Sequence, residues 1–123
     1  MSTIAEAITY VIALQRPDLS RVLAQQNDRL RQVAQIYPPE RAGQRYQRTY
    51  TLRDAWKPIG PIRSGEGWIA GVENATTYAE YVMGDDQGEY FEGRWRTASA
   101  IAEAEEETVA LAIESELYRL AGV

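Results

Sequence analysis

Two groups of carboxylates are the residues of this chain whose types and spacing could support metal binding or acid–base chemistry. Asp85, Asp86 and Glu89 could collect Ca²⁺ or Mg²⁺, since both ions take oxygen ligands. Their spacing does not give the alternating ligands and closing glutamate of an EF-hand loop, so residues 84–88 are interpreted as an exposed acidic turn. The run 103–107 advances by about 100° per helical residue, which prevents its glutamates from converging on one ion. We therefore interpret both groups as charged surface.

The residue types needed for nucleophilic catalysis are largely missing. The 123 residues contain no cysteine and no histidine, which excludes disulfides, thiolate metal sites, thiol nucleophiles and imidazole catalysis. Ser20, Ser64 and Ser99 consequently have no histidine to activate them. The segment 65–67 lacks the third glycine and the following helix of a phosphate-binding loop. We predict no catalytic residue, no cofactor and no metal site.

The net charge of −5 is divided unevenly along the chain. Residues 1–63 carry ten Lys/Arg and five Asp/Glu, whereas residues 64–123 carry three Arg and thirteen Asp/Glu. If folding keeps these halves as separate faces, they suit head-to-tail association of identical subunits. A surface of mixed patches is the alternative. Twelve of the thirteen cations are arginine, which pairs bidentately with carboxylates and so favours protein–protein contacts.

The N-terminal part of the chain, residues 1–16, has an apolar spacing that fits either a strand or a helix. The β-branched and aromatic residues at 8–12 favour a strand. The apolar run here is too short to span a membrane and has no signal-peptide character, so synthesis in the cytoplasm is expected. Residues 17–37 predict a helix with Pro17 in its first turn, because apolar residues recur there at helical spacing up to the proline pair that follows.

Residues 38–96 predict a loop, a hairpin and short strands. Thr51 suits the N-cap of a short helical turn through Trp56. The prolines and glycine at 58–61 indicate an irregular edge strand, and residues 68–72 form the better strand of the hairpin. Both faces of that second strand are apolar, so we expect it to be covered on both sides. The aromatic residues of this region are expected mainly in the core, with some at a subunit contact.

The C-terminal helix, residues 97–121, is predicted from an apolar stripe that persists over about 24 residues, or roughly 36 Å. Thr97 or Ser99 begins it, and Gly122 suits its C-terminal end. The chain length corresponds to a single domain, 1–123.

Two segments resemble the small neck and tail-completion proteins of tailed bacteriophages. Residues 48–56 read RTYTLRDAW and are similar to the family pattern R-T-G-x-L-R-x-S-W. Residues 72–82 read VENATTYAEYV and are similar to V-x-N-x-A-P-Y-A-x-Y-V. The chain departs from these patterns at Tyr50, at Ala55 and at Thr76-Thr77. The resemblance covers the chain from about Asp18 to the C-terminus.

This resemblance implies a compact α+β fold, in which a small, mostly antiparallel sheet packs with the N-terminal helix and the long C-terminal helix. It also implies a non-enzymatic virion protein that forms a ring, a hexamer or a dodecamer, in the neck or at the head-proximal end of the tail. The implied partners are further copies of the chain and neighbouring neck, adaptor or tail proteins. Genome DNA would at most pass through the ring lumen, and no membrane contact is implied.

The residues expected at contacts between subunits combine arginines of the basic half with acids of the acidic half. They are Arg41, Arg45, Arg48, Arg53, Asp85, Asp86, Glu103, Glu106 and Glu107. The loop 84–93 is expected to contact another ring.

Three other functions stay open from the residues alone. A monomeric protein-binding module, such as a host-directed phage inhibitor, would find a partner outside the virion. A hydrolase that uses paired carboxylates would depend on a divalent metal or on glycosidase geometry. A nucleic-acid binder acting through residues 41–63 would retain DNA with a steep salt dependence.

Overall fold

The structure, a computed structural model, describes residues 6–14, 17–36, 51–65, 67–76, 79–88 and 95–122. These residues form three strands and four helices. In chain order they are β1 (Glu6–Ile12), α1 (Ser20–Ala34), α2 (Thr51–Asp54), β2 (Trp56–Ser64), β3 (Gly67–Asn74), α3 (Ala79–Met83) and α4 (Ala98–Leu120). The class is α+β, as expected, with a small antiparallel sheet, an N-terminal helix and a long C-terminal helix.

The three strands form one sheet in the order β1-β3-β2, and both pairings are antiparallel. β2 and β3 are the hairpin expected from the sequence. β1 pairs with the other side of β3, with Ile8 opposite Val72 and Ile12 opposite Trp68. The N-terminal segment is thus a strand over 6–12, and the hairpin's second strand lies at the centre of the sheet.

One face of the sheet packs against α1 and α4, and the contact consists of two groups of buried apolar side chains. The first contains Ile8, Leu30, Ala34, Leu52, Trp56, Val72, Ala79, Val82, Met83, Ala98 and Ile101. The second contains Leu19, Val22, Leu23, Trp68, Ala70, Val109 and Ile113. Tyr10 packs against both groups, and its hydroxyl donates a hydrogen bond to the Ala102 carbonyl oxygen at 2.6 Å. The fold is therefore two layers, one of sheet and one of helices.

The start of α1 differs from the prediction. The helix begins at Ser20, so Pro17 precedes it instead of occupying its first turn. Oδ1 of Asp18 accepts hydrogen bonds from the Ser20 backbone nitrogen at 3.0 Å and from the Ser20 hydroxyl at 2.6 Å. A carboxylate at this place satisfies a backbone donor that the first turn leaves without an intrahelical partner. Those hydrogen bonds lower the pKa of the Asp18 carboxyl. Asp18, not the proline, fixes where the helix begins.

The ends of α4 follow the sequence signals. Of the two candidates for its start, Thr97 is the N-cap, and its hydroxyl oxygen accepts a hydrogen bond from the Ala100 nitrogen at 3.0 Å. Gly122 follows the last turn with φ of 77°, a conformation that glycine adopts at little cost. The helix therefore has a defined start and end that do not depend on its packing.

The irregular edge strand is β2. Its register against β3 shifts between Ile59 and Ile62. Buried Asn27 of α1 lies beside this irregularity, and its Nδ2 donates to the carbonyl oxygens of Ile59 at 3.0 Å and Gly60 at 3.4 Å. A bulge leaves carbonyls without strand partners, and a buried amide can satisfy them. Asn27 therefore joins the helix layer to the irregular part of the sheet.

One expectation for residues 51–74 was wrong in part, and another, cover on both faces of the central strand, is observed on one face within the described residues. The short helical turn ends at Asp54, and Trp56 begins β2 instead of ending a helix. The central strand β3 has Trp68, Ala70 and Val72 buried under the helices, but Ile69 on its other face is only half-buried. Within the described residues no second layer covers that other face.

Candidate assembly surfaces

Most of the arginines expected at subunit contacts lie outside the described residues, namely Arg41, Arg45 and Arg48. Arg53 is described and lies in α2. Its Nε donates to Oδ1 of the neighbouring Asp54 at 2.9 Å, and both side chains are well exposed. An exposed ion pair of this kind stabilises a fold by only about 0–1 kcal/mol, because water screens it. The described residues therefore include only Arg53 of the four expected arginines, and the expected basic surface stays a prediction.

The acids expected at subunit contacts are all on the surface. Asp85 and Asp86 are exposed in the turn after α3, and Glu103, Glu106 and Glu107 are exposed on α4. None of the five forms an ion pair with another described residue. They are therefore available to a basic partner.

A network of three charged side chains, which the sequence analysis missed, joins the two long helices. Glu116 of α4 is buried, with 2% of its side chain exposed. Arg21 of α1 donates from Nη2 to Glu116 Oε1 at 3.0 Å, and Arg119 Nε donates to the same oxygen. Both arginine side chains remain more than half exposed. Buried carboxylates need such partners, since an unpaired charge in the interior is costly.

One sequence signal could have drawn attention to this network. Glu116 occupies the buried stripe of α4 together with Val109 and Ile113, where an apolar residue is expected. Its near partner Arg119 is at i+3, but Arg21 is separated from it by 95 positions and no local pattern predicts it. The network borders an open cavity of about 280 Å³ between α1 and α4, which is also lined by Gln25, Gln26 and Ser115.

The Arg21–Glu116–Arg119 network predicts a specific loss of stability in acid. Hydrogen bonds from Arg119 and then Arg21 lower the pKa of Glu116 from its usual 4.5 to about 2. Because the folded-state pKa is lowered, the network's contribution is complete above the unfolded-state value and is lost as the pH falls through about 2. We expect the midpoint of thermal unfolding of the wild type to fall more steeply between about pH 5 and pH 2 than that of Glu116→Gln.

Circular dichroism melts of the two proteins over this pH range measure that difference. Asp18→Asn serves as the matched control, because the pKa of the Asp18 carboxyl is also lowered, chiefly by hydrogen bonds from Ser20 at the start of α1 and not by those of the network. If the unfolding midpoints of the wild type and of Glu116→Gln change in parallel with pH, folding does not change the pKa of the buried carboxyl group.

A second polar contact joins the same helices closer to the sheet. Arg29 of α1 donates from Nη1 to Glu105 Oε2 at 2.7 Å and from Nε to Gln26 Oε1 at 2.9 Å. Glu105 thus faces α1, unlike its exposed neighbours in the glutamate run. Burial, followed by the nearby Glu105 charge, raises the pKa of the Tyr10 hydroxyl. The glutamates of 103–107 therefore divide into one that holds the helices together and others that face solvent.

The two segments that carry the family resemblance meet in one place. Trp56 of the first segment is directly opposite Asn74 of the second in the β2–β3 register. Asn74 is fully buried, and its Nδ2 donates to the carbonyl oxygen of Leu52, again in the first segment, at 2.8 Å. Its Oδ1 accepts from the Thr76 nitrogen at 2.9 Å. The two segments therefore form one structural unit, in which Asn74 connects α2, β3 and the turn after it.

Two other kinds of feature, a metal site and a membrane-spanning helix, are absent from the described ranges. No group of three or more Asp or Glu side chains is placed to hold a metal ion there. No helix in those ranges is both long and apolar enough to cross a membrane.

Comparisons with protein-family models, with curated proteins and with solved structures found no match to this chain.

Proposed function

We propose that this chain is a structural virion protein of a tailed phage, which forms a homo-oligomeric ring in the neck or at the head-proximal end of the tail. The proposal includes its location in the virion and its partners, which are further copies of itself and adjoining neck, adaptor or tail proteins. In this function the chain binds its neighbours and transforms no substrate.

The observation that carries the proposal is the meeting of the two resemblance segments. The two segments are separated by residues 57–71, and the β2–β3 hairpin formed by that stretch brings them together. Leu52 and Trp56 of the first segment and Val72 and Asn74 of the second are all buried, and Asn74 is hydrogen-bonded to Leu52. These four residues are matched positions of the two patterns and belong to one buried unit, which supports reading the two patterns together.

The surface of the described residues supports association with other copies. Val11 is 78% exposed, Ile62 51%, Leu111 54% and Tyr118 57%. Large apolar side chains at this level of exposure on a small domain are often covered by a partner when they occur in groups. The exposed acids of α4 and of the turn after α3 supply charged positions at the rim of such contacts.

The proposal predicts that the purified chain assembles without any other protein. We expect light scattering after size exclusion to give a particle of six or twelve protomers, each of 13.9 kDa. Negative-stain electron microscopy should then show annular particles with an open lumen. Mass spectrometry of purified virions tests the location independently.

Other results of these experiments would favour one of the alternative functions. A chain that stays monomeric at every concentration and is missing from virions would contradict the ring and favour the monomeric binding module. Retention on DNA with a steep salt dependence would favour a nucleic-acid binder instead.

A further inference from the structure

α4 has a second apolar stripe on the side opposite its buried one. Ala104, Leu111 and Tyr118 are all exposed and are spaced by seven residues, so they lie almost in line along the helix. The buried residues Ile101, Val109 and Ile113 lie on the other side of the helix. Thr108, which is uncharged and exposed, flanks this line between Ala104 and Leu111. We call this outward stripe the helix surface.

The helix surface is bordered by carboxylates. Glu103, Glu107 and Glu114 are exposed along one side of it. No described basic side chain is in an ion pair with these three acids. Two helix surfaces placed against each other in antiparallel orientation would bring the same acidic borders together, which is unfavourable. The helix surface therefore suits a partner with an apolar face that lacks unpaired acids.

The outward face of the sheet has such a composition. Ile69 of the central strand is opposite Val11 on one neighbour and opposite Ile62 on the other. Side chains at paired positions project from the same face, so the three aliphatic groups form a row across the sheet. Val11 is 78% exposed and Ile62 51% exposed. We call this row, with the residues flanking it on the same face, the sheet surface.

Within the described residues, the sheet surface carries a single pair of opposite charges and lacks the row of acids that borders the helix surface. Lys57 and Glu73 are opposite each other on this face, with their charged atoms 3.8 Å apart. The lysine side chain is 53% exposed and the glutamate side chain 18% exposed, so the lysine is the more accessible side chain of the two. On the described strands, the positions that face outward include no acid other than Glu73. The acidic border of a helix surface that packs on this face would therefore lie near Lys57.

The two surfaces lie on opposite sides of the molecule. The sheet surface is the outer face of the sheet layer, and the helix surface is the outer side of α4 in the helix layer. Two different patches on opposite sides of one chain allow each copy to bind the next in the same way, and such head-to-tail contacts close into rings when the rotation permits. A pair of identical patches would instead stop at a dimer.

We propose that the subunit contact of the ring is formed by the helix surface of one copy on the sheet surface of the next. Leu111 of one copy packs against the row that contains Ile62 in its neighbour, and the acids beside Leu111 approach Lys57. This contact covers the outer face of the central strand, whose two apolar faces predict cover on both sides. This proposed contact rests on the proposed function, because it specifies how neighbouring subunits of the ring bind each other.

A cysteine cross-linking experiment tests the contact, since the natural chain has no cysteine. The variants are Leu111→Cys, Ile62→Cys and the double variant Leu111→Cys/Ile62→Cys, treated with a bifunctional maleimide and separated under denaturing conditions. We expect a ladder that extends beyond the dimer to the ring size in the double variant and monomer alone in each single variant. The matched control is Leu111→Cys/Gln32→Cys, because Gln32 is exposed on α1 outside both surfaces and should give no ladder.

Each other result overturns the contact in a distinguishable way. Dimers from Leu111→Cys alone would show that two helix surfaces meet, and dimers from Ile62→Cys alone would show that two sheet surfaces meet. Rings detected by light scattering without a ladder in the double variant would leave the proposed function standing and remove this contact. Monomers by light scattering would remove both.

Discussion

Replacing Gly71 by alanine is expected to prevent the chain from keeping its native sheet. A Cβ atom at Gly71 would overlap the backbone carbonyl oxygen of Ile8 and would lie 2.9 Å from both the Ile8 carbonyl carbon and the Thr9 Cα. These are backbone atoms of β1, so no side-chain rotation can make room, and β1 must move away from β3. We expect a loss of more than about 3 kcal/mol, the upper end for overpacking where neighbours can adjust. That is a large part of the roughly 5–15 kcal/mol that stabilises a small domain.

Urea denaturation followed by far-UV circular dichroism measures this loss, and Gly65→Ala is its matched control. Gly65 also has a positive φ, of 53°, but a Cβ there would meet nothing within 4 Å. The control therefore isolates the cost of an alanine in a left-handed conformation, about 1 kcal/mol. Equal losses in the two variants would mean that the close approach of β1 to β3 is not what requires glycine at Gly71.

Local patterns were sufficient to predict the parts of this fold that depend on neighbours in sequence. The apolar periodicity predicted both long helices, and glycine and proline placement predicted the hairpin and its irregular edge strand. Thr97 and Gly122 could be assigned to the ends of α4, because capping depends on residues within one turn. The strand assignment at 8–12 followed from β-branched and aromatic content.

Contacts between distant residues could not be predicted in the same way. Asn27 is on the buried side of α1 because a bulge in β2 exposes carbonyl groups to it, and the bulge is far away in sequence. Glu116 is buried because Arg21 reaches it from the other helix. In both cases the sequence signal is a single polar residue within an apolar stripe. This signal indicates that the residue is buried, but it does not identify the residue that binds it.

The central strand has an expected cover that the described residues supply on one face only. Apolar residues on both of its faces predicted cover on both sides, because exposed apolar area is unfavourable. The described residues cover only the face toward the helices. An apolar composition predicts that a face of the strand is buried. It does not predict whether the same chain or another copy covers that face.

The resemblance segments illustrate a different limit. The resemblance implies an assembly role for the chain, while Trp56 and Asn74 of its two segments lie in the interior and hold the fold together. Trp56 has 1% exposure and is the largest of the fully buried side chains. Short patterns shared within a family therefore combine structural and surface positions, and only their packing separates the two.

The substitution Asn74→Asp is expected to destabilise the protein by about 3–5 kcal/mol at neutral pH while hardly changing side-chain volume. The Nδ2 donor to the Leu52 carbonyl oxygen, now at 2.8 Å, would be replaced by a carboxylate oxygen. Two acceptors would then face each other at a position with no solvent exposure. The hydrogen bond from the Thr76 nitrogen can persist, so the loss isolates the link between β3 and α2.

The pH dependence of Asn74→Asp distinguishes this mechanism from a general loss of packing. Burial beside a carbonyl oxygen raises the pKa of the introduced carboxyl, so as the pH falls the folded state takes up a proton before the unfolded state does. The unfolding free energy of Asn74→Asp should therefore approach that of the wild type as the pH falls, because a protonated carboxyl can donate a hydrogen bond to the Leu52 carbonyl oxygen again. Asn74→Ala, which removes donor and acceptor together, should show a deficit in unfolding free energy that does not change with pH. Urea titrations of the three proteins at several pH values give the comparison, and a deficit for Asn74→Asp that is constant with pH would mean that the Leu52 carbonyl does not need this donor.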